Sequence, residues 1–373
     1  MSAAPHTAIE RLLAQAGFDS PGPAAEFVPA VNACCSQLTR QFPQYARFLS
    51  ERSDRGADPT WDSLDQLDEL PPLFLPVLKR FQFTLPADMD VRVALTSSGT
   101  TGRPSSVPLD AVNLERRVTA MSTAYRDMGI LTGPTSALAF LLDPRSTNMA
   151  GSVIIDGVLR THPHVSSVDY LARLTESGPE FDCREATQLV AAAAERGPLL
   201  IVGYPSLIAA AIGQMQDNGT QRLPLPDDSL ILTGGGWKST LPGVRLDQAE
   251  FRQMAADFFC ISPAAIRDMF GLSECPAVFL QCTAGNYHVP ASTWVQAVDP
   301  ESQTEVPDGQ VGLLQITTPL TTSYPLLRIL TTDKISLNRD CSCGLPSPCF
   351  QPHGRVSAAR FETCAMRVGQ AVS

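Results

Sequence analysis

From Arg92 to about Gly236, short apolar runs alternate with longer segments whose apolar residues recur every three or four positions. "VRVALT", "SALAFLL", "PLLIVG" and "SLILTGGG" read as strands. "AVNLERRVTAMSTAYRDMG", "EATQLVAAAAERG" and "PSLIAAAIGQM" read as helices. The first of these stops at a glycine and the last begins with proline, which suits a first helical turn. Strand followed by helix, repeated, predicts a mostly parallel sheet with covering helices, an α/β fold.

The flanks read differently. Ile9, Leu12, Leu13 and Ala16 are spaced as one helix face, and a second such pattern runs from Val28 to Phe48. Pro71, Pro72, Pro76 and Pro86 then interrupt the chain. Beyond Val295, "WVQAVD", "PDGQVGLLQITT" and "YPLLRILTTDKI" predict short strands in a more antiparallel arrangement. The expected organisation is a helical region over 1–90, an α/β core over 91–294 and a small β subdomain with a tail over 295–373. A 373-residue chain accommodates this, at roughly 100–200 residues per domain.

Charge narrows the function. The formal net charge is −10, whereas a general nucleic-acid binder needs a basic face. A nucleotide is not excluded, because a phosphate site needs only local N–H groups and a metal. The longest apolar runs fall short of the ~20 residues that cross a bilayer. "MSAAPHTAIERLLAQAG" lacks the apolar segment of a signal peptide. The expectation is a cytoplasmic protein with no membrane segment, whose ten cysteines are mostly reduced.

Four stretches carry chemistry. "SSGTTGRP" offers Ser97, Ser98, Gly99, Thr100, Thr101 and Gly102, hydroxyls and flexible backbone able to wrap phosphate oxygens. It is not a Walker A loop, since no lysine follows Gly102 and a strand, not a helix, comes next. "ILTGGGWK" puts Gly234, Gly235 and Gly236 at the end of a buried strand, where a flat ring can lie on the backbone; ligands of open α/β sheets bind at such ends. "DMFGLSEC" gathers Phe270, Gly271, Ser273 and Glu274 in one turn, with Glu274 a candidate Mg²⁺ ligand. "LRILTTDKI" sets Asp333 after a strand, where a carboxylate suits a ribose diol. Taken singly, each is also consistent with a packed turn or a surface acid.

In this order, and followed by Gly354–Arg355, the stretches resemble the adenylate-forming superfamily that includes the acyl-CoA synthetases. "TGGGWK" and "MFGLSE" are most similar to the acyl-protein synthetases of bacterial luminescence operons, and next to phenylacetate-CoA ligase. The resemblance runs from about Arg92 to the end. It implies that ATP, Mg²⁺ and a small carboxylic acid give an acyl-adenylate and pyrophosphate. It further implies that residues 97–102 grip the ATP phosphates and that Gly234–Gly236 with Phe270–Gly271 frame adenine. Ser273 and Glu274 would serve phosphate and metal, and Asp333 the ribose, with Arg355 nearby. Tyr204, Pro205 and Ser206 match the strand-to-helix turn that walls the acyl site. Phe140, Met149 and Phe279 are further candidate wall residues, though apolar residues here also suit the core, and His162 and His164 in "THPHV" are candidates to touch the substrate carboxylate or else part of a solvent loop.

Two departures stand out. Ser105 occupies the place where the superfamily loop usually has a lysine, and the chain stops 18 residues after Arg355. The expected protein is therefore the large N-terminal portion of such an enzyme, without the lysine of the usual C-terminal domain. Lys238 is the candidate substitute. In the luminescence synthetases a cysteine near the C-terminus accepts the acyl group, and Cys364 holds the corresponding place, with Arg367 near enough in sequence to favour its thiolate.

Cys282 and His288, with Cys341 and Cys343, offer three thiolates and one imidazole, a set suited to structural Zn²⁺. A local alternative is Cys341, Cys343, Cys349 and His353. The functional expectation is ATP-dependent activation of a fatty acid, or of an aryl carboxylate in a phenazine-type antibiotic pathway, with transfer to a thiol and on to a reductase partner. The alternatives are an acyl- or aryl-CoA ligase working without the C-terminal domain, and a nucleotide-binding scaffold without turnover.

Overall fold

The computed structural model describes residues 7–78, 80–96, 105–176, 178–237 and 245–356. Its contacts divide into two compact units. The first comprises the described residues of Met1–Ala124, Leu272–Phe279 and Asn286–Ser373; the second comprises Tyr125–Gly271 and Leu280–Gly285.

The second unit holds the α/β alternation. Its strands lie in the order Ile266–Gly271, Leu230–Gly234, Leu199–Gly203, Thr135–Leu142, Val165–Thr175 and Gly178–Glu180. All pair in parallel except the last, which is antiparallel. Thr135–Leu142, Leu199–Gly203 and Leu230–Gly234 are buried along their whole length, the mark of strands covered on both faces. Helices Cys183–Ala194, Pro205–Asp217 and Gln248–Phe259 contribute Val190, Ile208, Ile212, Phe251 and Phe258 to one core with Leu138, Ile201 and Ile231.

Strands Leu199–Gly203 and Thr135–Leu142 approach closely at Gly203. Gly203 pairs with Phe140 in parallel register, and a Cβ on Gly203 would stand 2.7 Å from both the Phe140 Cβ and its carbonyl oxygen. Backbone cannot yield there as a flexible side-chain tip could. Gly203→Ala is expected to destabilise the protein by about 1–3 kcal/mol, read as a lower denaturation midpoint in urea. An unchanged midpoint would mean the strands separate at no cost.

The first unit contains a mixed sheet ordered Tyr287–His288, Cys349–Arg355, Arg328–Asn338, Val311–Thr317 and Trp294–Val298, all antiparallel, with Leu73–Phe74 added in parallel to Arg328–Asn338. The N-terminal helices belong to this same unit. The expected helix over 28–48 is two helices, Phe27–Gln41 and Pro43–Arg52. Pro43 disfavours helical geometry at Phe42, which is extended at φ −123° and ψ 90°. Phe42 and Tyr45 then pack edge-on with Phe83, and Phe42 also with Tyr324. Arg328 ties the region to the sheet: it bonds the Leu67 carbonyl, reaches Asp68 at 3.1 Å and lies over the Trp294 ring. Among the described residues, no helix is long and apolar enough to cross a membrane.

Candidate active site

In the second unit, Leu230–Gly234 and Ile266–Gly271 run side by side, with Gly234 opposite Met269. Their carboxyl ends therefore carry Gly234–Gly236 and Phe270–Gly271 to one edge of the sheet. Gly235 and Gly236 have φ of 70° and 66°, left-handed values that glycine takes without strain. The glycine run thus leaves the strand in a path few other residues could follow. Just inside this edge, the Thr233 hydroxyl donates to the Asp268 carboxylate. One departure from expectation concerns "DMFGLSEC". Asp268 to Gly271 are strand, and only Leu272–Cys275 turn, closed by the Cys275 N–H to the Leu272 carbonyl at 3.1 Å.

That turn lies in the first unit and is buried. Glu274 is 5% exposed and Ser273 is 8% exposed. The Ser273 hydroxyl donates to Glu274 Oε2 at 3.0 Å. The Ser105 hydroxyl, at the place where a lysine is expected, lies 3.4 Å from that of Ser273. Arg117, from helix Ala111–Asp127, donates to the Ser273 carbonyl at 2.7 Å and reaches the Cys275 carbonyl at 3.4 Å. Burial pulls the Arg117 guanidinium down to about 10, a fall that the fields of Cys275 and Glu274 partly offset. A hydroxyl beside a carboxylate is a hard-oxygen pair, which fits Mg²⁺ held by one carboxylate and substrate phosphates.

Asp333 also departs from expectation. It sits inside the strand Arg328–Asn338, at a register shift, not after it. It faces Arg355 across the ladder, and Arg355 Nε donates to Asp333 Oδ1 at 2.7 Å. The carboxylate is thereby oriented, with its second oxygen unclaimed by Arg355 Nε.

Tyr204 is the N-cap of helix Pro205–Asp217, Pro205 is at its first turn, and Ser206 is buried. The Tyr204 hydroxyl lies close over Gly151, where a Cβ would stand 3.3 Å from it. Burial raises the Tyr204 hydroxyl to about 12, so it is neutral. Met149 precedes helix Ala150–Thr161, and the rings of His162 and His164 stand 5.5 Å apart just beyond that helix.

The Cys/His group forms in part within the first unit. Ligand atoms of His288, Cys341 and Cys343 lie within 4.8 Å of one another, and His288 Nε2 is 3.2 Å from Cys343 Sγ. The other ring nitrogen, Nδ1, faces the Ser347 carbonyl at 3.1 Å and its hydroxyl at 2.8 Å. A proton on Nδ1 leaves the Nε2 lone pair for a metal. Burial lowers the His288 pKa and so favours the neutral, ligating form. The Cys341–Gly344 turn closes through Gly344 N–H to the Cys341 carbonyl. Soft thiolates with an imidazole fit Zn²⁺. Cys282 is buried in the second unit, opening a turn closed by Gly285. Cys349 and His353 do not join the group: Cys349 Sγ is 3.9 Å from the Asp340 carbonyl, and His353 pairs with the Ser336 hydroxyl. The nine described cysteines form no disulfides with one another.

Ser97, Ser98, Gly99, Thr100, Thr101, Gly102, Lys238 and Cys364 lie outside the described residues. The strands on either side of the Ser/Thr/Gly stretch, Val93–Thr96 and Ser106–Leu109, pair antiparallel, so a strand does follow it. Arg117, bonded to the Ser273 and Cys275 carbonyls, is a residue beside this turn that the motif reading overlooks. Its signal was present, since positions 113, 117, 120, 121 and 124 share one buried helix face, and an arginine on such a face needs partners.

The glycine-bearing strand ends and the buried acidic turn accompany a fold shared with acyl-activating enzymes. An open conformation of 2-hydroxyisobutyryl-CoA ligase, in complex with 2-HIB-AMP and CoA, superposes with a TM-score of 0.69 at 16% identity, covering 90% of this chain and 76% of that one. The protein is an adenylate-forming ligase. Within that class the acyl-protein synthetase (LuxE) family profile matches residues 46–373, and the chain belongs to that family. The long-chain-fatty-acid–luciferin-component ligase of Vibrio harveyi is 26% identical over 311 residues, 83% of this chain and 79% of the relative. The Aliivibrio fischeri enzyme of the same name is 26% identical over 282 residues, 75% and 72% of the two chains.

Proposed function

We propose that the enzyme joins ATP to a long-chain fatty acid as the acyl-adenylate, and that Cys364 then takes the acyl group as a thioester. The buried Ser273–Glu274 turn, directly following the Phe270–Gly271 strand end, is the observation that carries this reading. An oxygen of the substrate carboxylate attacks the α-phosphorus, and pyrophosphate leaves. The barrier is charge repulsion, so fixed donors and an in-line geometry are what the protein must supply. Glu274 would hold Mg²⁺, which when bound would supply charge neutralisation of the phosphate oxygens. Residues 97–102 hold the phosphates, with Lys238 as the added cation. Gly234–Gly236 and Phe270–Gly271 frame adenine, and Asp333, aimed by Arg355, takes the ribose hydroxyls. Tyr204, Pro205 and Ser206 wall the acyl chain.

In the second step the Cys364 thiolate attacks the acyl carbonyl and AMP departs. The thioester is then a substrate for a reductase partner that releases an aldehyde. The relatives' names specify a long-chain fatty acid, and that favours fatty over aryl acids. Cys282, His288, Cys341 and Cys343 would hold a Zn²⁺ whose role would be structural, and the enzyme works in the cytoplasm.

ATP–pyrophosphate exchange, measured across fatty and aromatic acids, tests the first step. Exchange driven by hexadecanoic acid supports the reading. Exchange only with aromatic acids moves the substrate to the aryl class, free CoA-dependent AMP release identifies a CoA ligase, and exchange with none leaves a scaffold. For the second step, Cys364→Ser is expected to abolish covalent labelling by radioactive acid while exchange persists. Labelling that survives removes Cys364 from the pathway.

A further inference from the structure

We propose that Arg117 is the positioning residue that holds Glu274 in place for catalysis; this rests on the metal-and-phosphate role of Glu274 given above. Arg117 is 3% exposed. Its Nη1 grips the carbonyls on both sides of Glu274, Ser273 at 2.7 Å and Cys275 at 3.4 Å. The guanidinium thus fixes the backbone from which the carboxylate projects without being ion-paired to it. No salt bridge joins Arg117 to Glu274 among the described ion pairs, although the two are close enough for their charges to interact.

The arrangement is costly for a merely structural contact. Arg117 Nε and Nη2 are buried with no hydrogen-bond partner, and orphaned buried donors of a charged group are penalised. A helix-to-turn brace needs only one N–H, and an uncharged side chain would supply it more cheaply. What an arginine adds is a fixed positive charge beside a buried carboxylate. Bonded to the two backbone carbonyls, it leaves the carboxylate oxygens to other partners. One of those oxygens is already oriented by the Ser273 hydroxyl. Ser105, at 3.4 Å from that hydroxyl, contributes no charge, so Arg117 is the cation bonded directly to this turn among the described residues.

The test compares the wild type, Arg117→Lys and Arg117→Met in the full-length protein. Three quantities are read: hexadecanoate-dependent pyrophosphate exchange, Mn²⁺ affinity by electron paramagnetic resonance in the presence of ATP, and melting temperature. Arg117→Met is expected to lower kcat about 100-fold, the scale of a misplaced catalytic group, with little change in the KM for ATP. Its Mn²⁺ affinity falls about tenfold, the lower range for loss of a supporting residue. Arg117→Lys, which keeps the charge and one donor, recovers most of both. An Arg117→Met variant that melts earlier yet keeps wild-type kcat and Mn²⁺ affinity overturns the proposal, since a merely structural brace behaves that way. If Arg117→Met fails to fold, Arg117→Gln, which keeps a donor but not the charge, decides: an unchanged kcat together with unchanged Mn²⁺ affinity is fatal, and a loss in both that Arg117→Lys does not share supports it. A wild type that exchanges with no acid overturns the adenylation reading itself, and the proposal with it.

Discussion

Glu274→Gln is expected to reduce pyrophosphate exchange by about 100- to 1,000-fold, the range seen when one preorganised electrostatic partner is removed from a reacting oxyanion. The substitution keeps shape and keeps an acceptor for the Ser273 hydroxyl, 3.0 Å away. It removes only the charge. ATP binding, followed by calorimetry at saturating Mg²⁺, should weaken far less, because the proposed adenine and ribose contacts are with other residues. The pattern to look for is thus a collapse in kcat with a modest change in KM. Raising Mg²⁺ should recover part of the loss. A buried Arg117 left without its neighbouring anion also costs some stability, so melting temperature must be recorded beside the rates. A Glu274→Gln enzyme with wild-type exchange would remove Glu274 from the metal site and with it the reading of the whole turn.

The sheet of the second unit was the most legible part of the chain, and the reason is physical. "SALAFLL", "PLLIVG" and "SLILTG" are continuous apolar runs because both of their faces are covered. Their short length and their bounding turn residues locate them. Helix Gln248–Phe259 escapes the periodic reading, although Asp247 and Glu250 form a capping box at its start. Strand Val165–Thr175 escapes for a different reason: much of it is half-buried or exposed and its pattern is irregular. The break between the first two long helices depended on one residue, Pro43, whose effect falls on Phe42 before it.

The site was legible as motifs but not as geometry. Glycines at a strand end and a carboxylate after an aromatic can be read from spelling. That Asp333 lies within a strand, cross-paired with Arg355 22 residues later, needs the ladder register. Arg117 needs a contact spanning 156 positions, which no local pattern encodes. Both cases share a cause. Local sequence determines which element a residue joins, while its functional partner is set by packing between distant elements. Helix-face spacing marked Arg117 as buried, but only the fold says against what.

Cys343→Ala is expected to release bound zinc and to lower the melting temperature by about 10 °C or more. The physical basis is linkage: metal-binding energy present only in the folded state is folding energy, and structural zinc supplies on the order of 10 kcal/mol in small domains. Loss of even half of that, at roughly 2–4 °C per kcal/mol for a domain of moderate size, gives the stated shift. The wild type should hold about one zinc per chain by mass spectrometry under native conditions, matching a single closed four-ligand site. Strong chelators should reproduce the effect of the substitution. Acidification should do so as well, since protons compete for the thiolates and for His288, and zinc is therefore retained at neutral pH and lost as pH falls. Cys349→Ala is the control, because that thiol packs against the Asp340 carbonyl outside the ligand group. It removes a buried sulfur of similar size yet should keep the metal. If both alanine variants melt alike and neither changes zinc content, the cluster is ordinary cysteine packing. If only Cys343→Ala loses zinc and stability, a metal holds the Cys341–Gly344 turn to His288. The C-terminal strands, including the one that carries Arg355 to Asp333, are then fixed in part by that ion.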